Sequence, residues 1–123
     1  MKNYIAFNIK FSKKDKRYFK VFIFNNRKEM HKAVEFTTGV KENSNYACMI
    51  GIGNKGQKWI GTLMFYRGYI GAGIVAHECL HAVYHLKDFI SMTEEEDCLA
   101  LEKLIINFWR KYYKYEQEMQ VGW

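Results

Sequence analysis

Residues 71–86 read GAGIVAHECLHAVYHL, and neither proline nor glycine interrupts the run from Ile74 to Ile90. Such a run is most economically an α-helix, because the helix satisfies every backbone hydrogen bond locally. Ile74, Val75, Leu80, Val83, Tyr84 and Leu86 put apolar surface on more than one side, so the helix is expected to be largely buried. At its centre stands His77-Glu78-Cys79-Leu80-His81, the H-E-x-x-H pattern of zinc-dependent hydrolases. Residues four apart share a helix face, so His77 and His81 point the same way and can bind one metal ion. Glu78 lies on the neighbouring edge of that face, where a carboxylate reaches a metal-bound water and can act as general base. Two histidines and a carboxylate in an apolar segment are costly to bury unless something binds them.

A zinc ion held by two histidines and a water needs one more protein ligand. His85 lies two turns beyond His77, about 12 Å along the axis, whereas zinc–ligand bonds are about 2 Å. His85 is therefore a poor ligand, and it and Tyr84 read as ordinary packing. The run Glu94-Glu95-Glu96-Asp97 offers better candidates. At about 100° per residue, Glu94 and Asp97 fall near the apolar stripe of the last helix, while Glu96 points away with a capping role available. Asp97 is favoured and Glu94 stands second. Helix-dipole attraction alone explains an acidic first turn, but it does not explain an inward carboxylate.

The rest of the chain supplies a sheet and two more helices. Residues 4–11 alternate, with Ile5, Phe7, Ile9 and Phe11 on one side, and 18–24 (YFKVFIF) form a second strand. The polar stretch Ser12–Arg17 joins them as an antiparallel hairpin. Asn26 with Glu29 resembles a capping box; Met30, Ala33 and Val34 make a helical stripe, and Gly39 stops it. His31 reads as a surface histidine. Residues 46–52 and 59–66 form another hairpin around Gly53-Asn54-Lys55-Gly56-Gln57, which lacks phosphate-loop spacing. After a short connection, Thr93 and Glu96 match a second capping box, opening one long helix to about Met119. Its stripe is read through Cys98, Leu101, Ile105, Phe108, Trp109 and Tyr112.

At this point the chain resembles the small zincin-like metallopeptidases encoded by phages and other mobile elements. The resemblance covers roughly residues 59–109, through the strand IGTLMFY, then GAGIVAHECLHA, then the acidic-x-x-Ala step Asp97-Cys98-Leu99-Ala100. It implies His77 and His81 as ligands of one Zn2+ ion, Glu78 as the base, and Asp97 as third ligand where the family pattern usually has Glu. Asp is shorter by one methylene. The fold implied is α+β and zincin-like: a small antiparallel or mixed sheet of about four strands packed on an N-terminal helix, the central HExxH helix and a long C-terminal helix.

A chain of 123 residues, nearly half of them apolar, suits a single domain over 1–123 with one core. No apolar run approaches the length of a bilayer span, and the N-terminus lacks the apolar block of a signal peptide. Three cysteines without close spacing do not make a disulfide framework, so all three are expected to be buried free thiols in a reducing cytoplasm. The reading is a zinc-dependent peptidase acting on a peptide or protein, aligned along an edge strand at 59–66. A non-catalytic zincin-like protein that binds a host or regulatory partner is the alternative. The net charge of +6 permits nucleic-acid contact through Lys10, Lys13, Lys14, Lys16, Arg17 and Lys20, although such hairpin tips are more often simply solvated.

Overall fold

The structure, a computed structural model, describes residues 4–41, 46–52 and 56–121, with side chains as far as residue 117. Four strands and three helices follow in the order β1 (Tyr4–Ile9), β2 (Tyr18–Phe24), α1 (Arg27–Thr38), β3 (Cys48–Gly51), β4 (Trp59–Tyr66), α2 (Ala72–Leu86) and α3 (Glu94–Val121). The architecture is α+β, with one open mixed sheet in the order β1-β2-β4-β3. The two hairpins β1/β2 and β3/β4 are antiparallel, as the alternation suggested, and β2 meets β4 in parallel. A parallel pair cannot be closed by a tight turn. Here α1 and β3 make the crossing. Of the turn between β3 and β4, residues 53–55 lie outside the described residues, and Gly56 has a left-handed φ of 92°.

The strands are shorter than the alternation suggested: pairing ends at Ile9, although Phe11 is still buried, and β3 begins at Cys48. β4 is not an edge strand. It pairs with β2 on one side and β3 on the other, so the outer strands are β1 and β3. Its near-continuous burial is what a strand covered on both faces shows.

One face of the sheet carries the main core. Ile5, Ile23 and Phe65 form one cross-strand row on this face, and Phe7, Val21 and Leu63 form the next. The following row runs Ile9, Phe19, Gly61, Gly51. Its two glycines are there because bulky side chains lie over them. A Cβ at Gly61 would meet the Phe19 ring at 2.8 Å, and one at Gly51 would meet the His85 ring at 2.5 Å. α2 and α3 cover this face. α1 covers part of the other, through Met30 and Val34 packed on Phe24 and Met64. The α1 boundaries are those its sequence encodes: Asn26 Oδ1 accepts from the Glu29 amide at 2.9 Å, and Gly39 adopts φ 75°.

α3 opens on the expected capping box, with Thr93 Oγ1 accepting from the Glu96 amide at 3.2 Å and Glu96 Oε1 accepting from the Thr93 amide at 3.0 Å. Its buried face is rotated from the expected one. Ala100, Leu104 and Phe108 are buried; Leu101, Ile105, Trp109 and Tyr112 only flank them, and Cys98 is exposed. Phe108 sets this rotation. It stands edge-on to both Phe7 and Phe65, with ring centroids at 5.6 and 5.2 Å, and the residues one and two turns before it are carried inward. No described helix is long and apolar enough to cross a membrane.

The glycine row gives a direct test. Phe19 is fully buried, and the backbone carbonyl oxygen of Ile50 would stand 3.3 Å from a Cβ at Gly61, so Gly61→Ala should destabilise the fold by about 1–3 kcal/mol. Urea unfolding should show a lower midpoint with an unchanged slope.

Candidate functional site

α2 buries Val75, Cys79, Ala82, Val83 and Leu86, a stripe at i, i+4, i+7, i+8 and i+11. The opposite face carries His77, Leu80, His81 and Tyr84, all exposed to solvent. The helix is thus half-buried, not largely buried. Tyr84, at 60 % exposure, does not pack as expected. Glu78 follows the buried stripe and is only 6 % exposed.

The two histidines meet as their spacing implies. His77 Nε2 and His81 Nε2 are 3.2 Å apart, with ring planes at 74°. Two imidazole nitrogens on one tetrahedral zinc, with bonds near 2.0–2.1 Å, would stand about 3.3 Å apart. The spacing of the pair is therefore that of two ligands of one ion. Without metal, the same distance suits one imidazole donating to the other. Glu78 Oε2 lies 4.0 Å from His77 Nε2, beside the pair. Burial holds the Glu78 carboxyl above its ordinary value, and the two histidines oppose that shift. A carboxyl tuned upward by desolvation is better matched to proton transfer near neutral pH than a solvated one.

The surroundings of Glu78 are apolar and thiol-lined. Burial first, and then the Glu78 charge, pushes the thiols of Cys48 on β3 and Cys79 on α2 up to about 12. Without a metal, both favour the thiol form at neutral pH, which makes them poor nucleophiles. His85 is structural. Its ring covers Gly51, and its Nε2 lies 3.2 Å from the Ile52 carbonyl oxygen, tying α2 to the end of β3.

The structure does not bring a third ligand to the pair. Asp97 does turn toward the core side of α3, in line with Ala100 and Leu104. Its Oδ2, however, accepts from Lys87 Nζ at 2.8 Å, and its buried Oδ1 has no hydrogen-bond partner among the described residues. The bond to Asp97 and its charge hold the Lys87 ammonium above its ordinary value. Glu94 is exposed in the first turn of α3. Among the described residues, no group of three His, Cys, Asp or Glu is placed to hold a metal ion. Sequence reasoning overlooked Lys87. The signal was there: a lone cation one residue past the end of α2, facing the acidic run across a short connection.

Compared with known protein families, with curated proteins and with solved structures, the chain matches none.

The burial of Glu78 has a consequence for stability. Its folded-state value is raised above the ordinary 4.5, so the stabilisation from its neutral form is full below that pH. That contribution is lost as pH rises through the raised value, where a buried charge must be held. Without metal, Glu78→Gln should therefore raise the melting temperature at pH 7–8 by roughly 2–5 °C. The gain should shrink as pH falls toward 4.5, where the raised value favours the neutral carboxyl. A thermal-melt series in chelator across that range checks it.

Proposed function

We propose that this chain is a zinc-dependent hydrolase, zincin-like in plan, that cleaves peptide bonds. The observation that carries the proposal is the meeting of His77 and His81 Nε2 at 3.2 Å with a buried carboxyl beside them. His77 and His81 would hold the ion. Bound zinc supplies a water of lowered pKa and polarises a carbonyl. Glu78 would accept the proton of the attacking water on its carboxylate and pass it to the leaving amine. The exposed face of α2 leaves room for substrate, and β3 is the outer strand beside this helix. An extended peptide would add to β3, not to β4. The three free thiols suit the reducing cytoplasm in which we place the protein.

The third ligand remains to be recruited. We favour Asp97, with Glu94 second. Asp97 would have to exchange Lys87 for the ion. Its Oδ1, buried and without a partner among the described residues, has a use for one.

A second reading has its own support. Leu80, at 39 % exposure, and Tyr84 flank the histidines on the same open face, and no third ligand is gathered there among the described residues. This suits a non-catalytic scaffold that binds a host or regulatory protein through α2.

Elemental analysis and zinc titration of the wild type, His77→Ala, His81→Ala and Asp97→Ala separate the two readings. Near one zinc per chain, lost in both histidine variants, is expected of the enzyme. Cleavage of a peptide library should then be present in the wild type and fall at least about a hundredfold in Glu78→Gln, the scale of a lost general base. No zinc in the wild type, with partner capture intact in Glu78→Gln, would move the protein to the binding class. Lys87→Met should tighten zinc binding severalfold if Asp97 is the third ligand. Unchanged affinity in that variant would point to Glu94.

A further inference from the structure

We infer that the β1 edge and the adjoining flank of α3 form a groove for single-stranded nucleic acid, separate from the HExxH face. The surface is assembled by the fold, not by the hairpin tip alone. On α3, Lys103, Asn107, Arg110 and Lys114 recur at i, i+4, i+7 and i+11, so they share one flank. That flank meets the end of β1. Lys10, Lys13, Lys103 and Arg110 line one concavity of about 460 Å³. Lys20, Lys111 and Lys114 line a second, of about 630 Å³. Neither concavity has a carboxylate among its described lining residues. The cations are close enough to feel one another: burial first, and then Lys10 and Lys114, holds the Lys111 ammonium below its ordinary value. Like charges gathered in this way repel one another, and an anion relieves that repulsion.

Rings select among the polyanions. Tyr4, Phe22 and Tyr115 line the second concavity beside the lysines. Tyr4 and Phe22 also form one wall of a larger apolar groove, about 870 Å³, on the α1 face of the sheet. Phe36, 93 % exposed, and Trp59 line the same groove, and Lys20 Nζ sits 4.0 Å over the Trp59 ring. A cationic track leading to exposed and half-exposed rings is the arrangement that takes phosphates on the cations and unpaired bases on the rings. An acidic polypeptide would use the charges but not the rings. A duplex would offer no free base to stack.

The test is fluorescence anisotropy with a labelled fifteen-nucleotide oligo-dT, a duplex of equal length and oligo-glutamate, each from 50 to 200 mM salt. Oligo-dT should bind tightest. Its logarithmic salt slope should shrink by about 1.4 in Lys103→Glu/Arg110→Glu, since each single-strand phosphate contact contributes about 0.7. Lys28→Glu/Lys41→Glu, with the same change in net charge, should bind as the wild type does. Tyr4→Ser should weaken binding roughly fivefold or more with an unchanged slope. Circular dichroism of each variant confirms the fold. Absent binding by the wild type would overturn the inference. So would equal loss in the two charge variants, or binding of duplex or oligo-glutamate as tight as that of oligo-dT.

Discussion

The candidate site depends on the rotation of α2 about its own axis. Val75, Cys79, Ala82, Val83 and Leu86 fix that rotation by filling the space over β3 and β4. Each such side chain contributes about 1.5–3 kcal/mol when fully buried, less for alanine, so turning the helix by even one residue position would forfeit several. His85 over Gly51 adds a lock at the far end. With the rotation set, the rest follows from helical geometry. Glu78, adjacent to Cys79, is carried inside. His77 and His81, on the opposite side, are carried out. A carboxyl in a dry setting next to two imidazoles in a wet one is an arrangement that one helix achieves through its period alone.

The electrostatics of the two carboxylates differ in a way that bears on chemistry. Glu78 is buried without a nearby lysine or arginine among its perturbing groups, and its carboxyl is pushed upward. Asp97 is half-buried with a full cation at 2.8 Å. Pairing of this kind anchors a carboxylate through a specific bond, whereas desolvation leaves one readier to take a proton. The first suits a structural strut or a ligand awaiting exchange, and the second suits a base. The bond from Lys87 also spans the short connection between α2 and α3, so it helps hold the two helices together.

Much of this was legible in the sequence because it was local. The Asn26 N-cap, the Thr93–Glu96 capping box, the Gly39 stop, both hairpins and the His77–His81 convergence depend on residues within a few positions of each other. What the sequence hid depends on contacts far apart in the chain. Nothing near residues 59–66 announces that β2 will pair with them in parallel and make β4 an inner strand. The stripe on α3 was misjudged because a helix with aromatic residues on two sides has two plausible inward faces, and only Phe7 and Phe65 select the one centred on Phe108. Cys98 was read as buried for the same reason. Lys87 was passed over because a cation just past a helix end reads as solvated until its partner is found on the next helix.

The two outer strands of the sheet are treated differently. β1 is guarded: Lys111 Nζ donates to the Asn8 carbonyl oxygen, and Lys10 and Lys114 stand nearby. Lysines along an edge are a common way to stop a sheet from recruiting another strand, and that role alone would explain Lys111. It does not explain why the cations continue down α3 to Lys103, a helix face that offers no edge to guard. Nor does it explain the rings that follow them around the end of the sheet. Edge protection needs charge only where backbone is unpaired. The excess over that need is what points to a ligand.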